Sequence, residues 1–170
     1  KNHKNYLLNR KIREFDQHNW FEWGAPRNLF FMNQLKGNDC IYVNCKTRCK
    51  KPFFKGLDEF IEAAIEINKN YPKLKFCIQG EIYSKRKDRS ININLLNYAI
   101  EKKIITLLKY GEALKTINES KWIVLPSYRE GSSKILQESI SMGTPCLASD
   151  VPGCNNVIID DFNGLLFEHK

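Results

Sequence analysis

From residue 40 onward the chain alternates short apolar runs with longer stretches of helical period. Cys40-Ile41-Tyr42-Val43 is a compact run of β-formers. Residues 55–69 then place Leu57, Phe60, Ile61, Ala64 and Ile65 on one helical face, with Asp58, Glu59 and Glu62 early, where the helix dipole favours acids. Residues 74–78 form the next strand, and residues 91–103 a second helix with Ile93, Leu95, Leu96 and Ile100 as its apolar face. A third strand is expected over 104–108, a short helix over 112–120 and a fourth strand over 122–125, ended by Pro126-Ser127. Residues 132–142 read as a helix closed by Gly143 and Pro145. Strands at 146–148 and 164–167 complete the pattern, with Asn163-Gly164 as the turn before the last.

Continuously apolar strands separated by amphipathic helices argue a parallel sheet covered on both faces. With right-handed crossovers this is an α/β fold, a Rossmann-like doubly wound sheet of about six strands. It is expected over residues 39–170. Residues 1–38 carry Trp20-Phe21-Glu22-Trp23, then the breakers Gly24 and Pro26, and read as a lead-in or inter-domain segment.

In such a sheet ligands bind beyond the carboxyl ends of the strands. After the fourth strand comes Pro126-Ser127-Tyr128-Arg129-Glu130-Gly131-Ser132-Ser133, which feeds the amino end of a helix. Free N–H groups and the dipole make that end attractive to a diphosphate. Gly131 permits close backbone approach, and Ser132 or Ser133 either caps the helix or meets the ligand. Glu130 and Glu138 would stand roughly 12 Å apart on a continuous helix, comparable to a sugar–diphosphate–ribose skeleton. One acid would reach hexose hydroxyls and the other ribose.

The 170 residues suit one buried core, and no apolar run is long enough to span a bilayer. The chain opens Lys1-Asn2-His3-Lys4, without a secretory pattern and without Met, which fits a start inside a longer chain. The net charge of +8 is read as a solvated basic surface. Six cysteines occur, yet a domain of this size needs no staples. Cys45-x3-Cys49 lacks a second ligand pair, so zinc is not expected. Cys77 and Cys146 lie in apolar runs and read as core residues, which points to a reducing, cytoplasmic compartment.

The stretch Leu125-Pro126-Ser127-Tyr128-Arg129-Glu130-Gly131, with Glu138, Gly143-Thr144-Pro145, Asp150-Val151-Pro152-Gly153-Cys154 and Asn163-Gly164-Leu165-Leu166, resembles glycosyltransferase family 4. Lys55-Gly56 ahead of its helix resembles the family's Lys-Gly helix start. The resemblance covers about residues 40–168 and is strongest over 121–166. It implies one half of a GT-B fold and retaining transfer of a hexose or N-acetylhexosamine from a nucleotide-sugar, expected to be a UDP-sugar. Glu130 and Lys55 would serve catalysis. Glu138 would bind ribose, and the backbone of Gly131, Ser132 and Ser133 would hold the donor. A basic residue of the preceding loop would join Lys55 on the diphosphate; Arg48 has the chemistry and Lys50 the spacing, and the choice stays open. No D-x-D motif occurs, so neither cofactor nor metal is expected. The Pro-Gly-Cys variant resembles the branch that builds capsule, O-antigen or lipid-linked glycans. It implies a glycan or lipid-linked acceptor, a partner amino-terminal domain outside this chain, and peripheral association with the cytoplasmic membrane face.

The sequence departs from the family at Gly80-Glu81-Ile82-Tyr83 and lacks an acid near Asn156. These departures motivate a second reading, a nucleotide-sugar-binding module without catalysis. Nucleic-acid binding through residues 46–51 and 85–89 ranks last, because no reader motif or aromatic platform accompanies the charge.

Overall fold

The computed structural model describes residues 40–43, 55–80, 91–108, 111 and 113–168, with backbone alone for Cys40–Val43 and Ala113. The lead-in segment, the basic loop with Arg48 and Lys50, the Cys45/Cys49 pair, Glu81 and the 85–89 cluster lie outside the described residues. The chain order is β1 (Cys40–Val43), α1 (Leu57–Asn70), β2 (Lys75–Gln79), α2 (Ile93–Glu101), β3 (Ile105–Leu108), α3 (Ala113–Asn118), β4 (Trp122–Leu125), α4 (Lys134–Ser141), β5 (Cys146–Ser149) and β6 (Leu165–Phe167). The six strands form one parallel sheet in the order β3-β2-β1-β4-β5-β6. The doubly wound sheet is therefore as expected.

Burial shows why the strands read as unbroken apolar runs. On β4, Trp122 and Val124 join the core beneath α1 and α2, while Ile123 and Leu125 join the core beneath α3 and α4. β5 divides in the same way, with Leu147 on the first side and Cys146 and Ala148 on the second. Period-two alternation persists, but both faces are dry, so both sets must be apolar. Phe60 of α1 packs edge-on against Phe76 of β2 at 5.9 Å between centroids. Cys77 and Cys146 are buried, as expected of core cysteines, and so is Cys154. No helix among the described residues is long and apolar enough to cross a membrane.

Element ends follow local chemistry. Asn92 caps α2, its Oδ1 accepting from the Leu95 N–H at 3.1 Å. The Asn92 N–H donates to Asp58 Oδ1 at 2.8 Å, which ties α2 to α1. Burial raises the Asp58 carboxyl above its ordinary value, and that N–H opposes the rise. After α4, the Gly143 N–H reaches the Ile140 carbonyl and the Thr144 N–H the Ser139 carbonyl, the paired bonds of a Schellman motif. Gly143 therefore holds the C′ position expected of it.

α2 ends with the same pair of bonds, Lys103 to Ile100 and Ile104 to Ala99, but its left-handed residue is Lys103 at φ 55°. A side chain there carries a steric penalty that glycine avoids. Lys103→Gly is expected to raise unfolding free energy by about 0.5–1 kcal/mol, read as a higher urea midpoint at unchanged slope.

Candidate functional site

The chain winds from β1 out to β3, then returns to start β4 on the other side of β1. The connections after β1 and β4 thus flank a topological switch point, where a doubly wound sheet opens its ligand crevice. The first connection ends at Lys55 and Gly56, and the second is residues 126–133.

These connections are in contact. Gly56 has φ 64° at the start of α1, and a Cβ built there would lie 1.8 Å from the Pro126 carbonyl oxygen. No side chain fits that approach. It brings Lys55 beside Glu130, and the Lys55 ammonium forms an ion pair with Glu130 Oε1. The Ser127 hydroxyl donates to the same oxygen at 2.8 Å. Their side chains are 19% and 11% exposed, so the pair is sheltered yet reachable from the crevice. Tyr128 turns the other way and donates its hydroxyl to Glu59 on α1. Burial, that bond and the neighbouring acids Glu59, Asp58 and Glu62 hold the phenol well above its ordinary pKa. The loop is thereby fixed to α1 at two points.

A third connection closes over the second. Gly153 has φ 89°, and a Cβ there would stand 2.6 Å from the Glu130 carbonyl oxygen. Its own carbonyl accepts from the Ser133 N–H at 3.2 Å. Behind it Cys154 is buried, its thiol pushed up to about 12 by burial, with Glu130 and Asp150 adding and Lys55 opposing. Burial likewise pushes the Cys146 thiol up to about 12, against a hydrogen bond with Ser139.

The amino end of α4 corrects one expectation. The helix begins at Lys134, so residues 132 and 133 precede it, and neither serine supplies the cap bond. Ser133 holds the N-cap position in extended conformation, and its N–H is taken by the Gly153 carbonyl. The Ser133 hydroxyl is 3% exposed and meets no hydrogen-bond partner among the described residues. The Ser132 hydroxyl instead accepts from Gln137 Nε2 at 3.1 Å. By helix geometry the first N–H groups of α4 have no intrahelical acceptor. Gly131 is exposed, and a Cβ there would meet no heavy atom within 4 Å.

Lys55, Glu130 and Ser127 are therefore brought together, with Gly131 and Ser133 on the same loop. Glu138 stands further along α4, half-buried, with its Oε2 sheltered from solvent. Sequence reasoning missed three parts: Ser127 as a donor to Glu130, the Tyr128–Glu59 brace, and the clamp by Gly153. A signal existed for the last, since Pro152-Gly153 marks a sharp turn, but its target lies in another connection. Asn163 does hold a turn, its side chain bonding Ile159 N–H and the Val157 carbonyl. Among the described residues no three His, Cys, Asp or Glu side chains cluster as metal ligands. Lys55 and the α4 dipole supply positive charge at the site, and Arg129 of the loop and Lys134 at the first position of α4 carry further cations nearby.

The two crowding glycine contacts and the open one predict different outcomes. Gly56→Ala is expected to cost more than about 3 kcal/mol or to abolish folding, whereas Gly131→Ala changes stability by less than about 1 kcal/mol, both read from denaturant melts. At pH 8 Cys146 and Cys154 are expected to resist alkylation in the native state and to label on unfolding, as peptide masses would report.

Residues 42–170 match the profile of the family described as Glycosyl transferases group 1. An uncharacterized glycosyltransferase of Methanocaldococcus jannaschii is 27% identical over 114 residues, covering 67% of this chain and 30% of that protein. The chain thus spans under a third of that relative's length. The C-terminal domain of LpcC, a glycosyl transferase group 1 family protein from Francisella tularensis, superposes with a TM-score of 0.63 at 23% identity, covering 87% of this chain and 78% of that one. The pneumococcal O-GlcNAc transferase GtfA, solved with UDP and GlcNAc, superposes with a TM-score of 0.62 at 23% identity, covering 79% of this chain and 26% of that one. The parallel α/β sheet is a fold shared with both of these structures. On the match over residues 42–170, the chain belongs to the glycosyl transferases group 1 family.

Proposed function

We propose that this chain is the donor-binding half of a retaining glycosyltransferase of family 4, which takes a hexose or N-acetylhexosamine from a UDP-sugar. The observation that carries the reading is the meeting of Lys55 and Glu130 at the switch point, beside the open amino end of α4. A diphosphate laid over that end accepts from the α4 N–H groups. Lys55 neutralises the charge that grows on the diphosphate as the sugar departs, an electrostatic stabilisation needing no reorganisation of water. Glu130 accepts from the hexose hydroxyls, and Glu138 from the ribose. The open space at Gly131 admits the donor against the backbone. Arg48 or Lys50 adds a second cation. No protein nucleophile is required.

GtfA, which shares the fold, was solved with UDP, and this supports uridine as the base. The acceptor is a glycan or lipid-linked glycan presented by a second Rossmann-like half, at the cytoplasmic membrane face. A module that binds without transferring is separated from this reading by assaying donor hydrolysis or transfer in the full-length protein. For the chain itself, calorimetry is expected to show weak binding of UDP and UDP-N-acetylglucosamine. Glu138→Ala should weaken both roughly tenfold or more, the scale of a lost charge-assisted hydrogen-bond pair. Absence of nucleotide binding at millimolar ligand overturns the site.

A further inference from the structure

The donor site as found is not an unclaimed positive pocket. Lys55, the cation that the loop after β1 brings to the switch point, already has an anionic partner, and that partner is the carboxylate assigned to the sugar. Glu130 Oε1 accepts from Lys55 and from Ser127 at once. Ser127, just past the end of β4, is fully buried and donates to the carboxylate from a fixed position. Both charges are mostly shielded from water, where their attraction is stronger than at an open surface.

Resting on the donor-binding reading above, we infer that Glu130 is a specificity-determining residue that makes diphosphate binding conditional on the sugar, by holding Lys55 until sugar hydroxyls replace it. A bare nucleoside diphosphate or pyrophosphate must draw Lys55 away from Glu130 and leave that carboxylate short of a donor. It must also settle beside an uncompensated negative charge. A nucleotide-sugar brings its own donors: hydroxyls satisfy Glu130 Oε1 as the ammonium swings to the phosphates. The exchange replaces the ammonium at Glu130 with sugar hydroxyls in the sugar-loaded site, whereas in the diphosphate-loaded site the carboxylate keeps only the Ser127 donor. Unpaired charge in a sheltered pocket is the costly state. The site therefore favours the intact donor over the spent one, which assists release of the nucleoside diphosphate after transfer.

The test compares UDP, inorganic pyrophosphate and UDP-N-acetylglucosamine by calorimetry on wild type, Glu130→Gln, Lys55→Ala and the double variant, with circular dichroism as the folding control. Glu130→Gln is expected to bind UDP and pyrophosphate roughly threefold to tenfold tighter than wild type. UDP-N-acetylglucosamine gains nothing or weakens, so its affinity relative to UDP falls. In the Lys55→Ala background the same change gives a smaller gain, because only direct repulsion is left to relieve. Glu130→Ala removes the same acceptor and repeats the measurement should the glutamine variant fail to fold. An equal gain in both backgrounds overturns the inference, since repulsion alone would then account for it. No gain for UDP or pyrophosphate, with Lys55→Ala weakening both, also overturns it and leaves the donor site standing. Absence of binding by wild type and Glu130→Gln alike overturns the donor site itself.

Discussion

The approach of Gly56 to the Pro126 carbonyl holds the site together, because it joins the two connections that the topology sends in opposite directions. Lys55 and Glu130 are 75 residues apart in sequence. Their meeting requires the loop after β1 and the loop after β4 to touch, and backbone must touch backbone for the side chains to reach. A side chain at position 56 would act as a wedge between them. The Tyr128–Glu59 bond then fixes the angle of the second loop against α1, and Gly153 presses on the same loop from the opposite flank. Rigid steric contacts set the frame, and a movable ion pair occupies it.

Magnitudes explain this division. An exposed pair such as Lys69–Glu66 on α1, with side chains more than half exposed, contributes a few tenths of a kcal/mol at most. The Lys55–Glu130 pair is better sheltered, but it too is a poor foundation, since a ligand that competes for either partner disrupts it. The close contacts at Gly56 and Gly153 cannot be competed away by any ligand. A site whose charges were to exchange partners during binding, as proposed, would therefore have its geometry fixed by groups that take no part in the exchange.

Most of the fold was legible because it rests on local pattern. Every described strand and helix lies within two residues of the span that hydrophobic periodicity predicts, and the doubly wound class follows from their alternation. The errors fall where a distant partner intervenes. Residues 132 and 133 look like helix, but Ser133 sits extended as the N-cap, its N–H bonded to the Gly153 carbonyl, and α4 starts at Lys134. The Lys103 position looks like ordinary helix end, yet two Schellman bonds force it left-handed. Glu130 and Glu138 stand out by their spacing at the helix after β4, and the family resemblance adds weight because acids eight apart on a helix are common by themselves; Lys55 enters through the resemblance alone. That Lys55 would be paired with Glu130 rather than free was beyond any one-dimensional signal, as was the role of Ser127. Both depend on the strand order 3-2-1-4-5-6, which places residues 55 and 130 across one crevice.

The basic character of the chain takes on a different meaning in this light. A net charge of +8 gives a field that draws anions of every kind toward the molecule and raises encounter rates. Such a field is blind to the difference between a nucleotide-sugar and a spent nucleotide, both of which carry a diphosphate. Discrimination has to come from the few ångströms where the two ligands differ, at the sugar. A free lysine there would reward phosphate alone and hold the product as readily as the substrate. In the proposed site, pairing that lysine with the carboxylate assigned to the sugar would convert a general anion trap into a site that responds to the whole donor. It needs no element beyond the two side chains that the switch point already brings together.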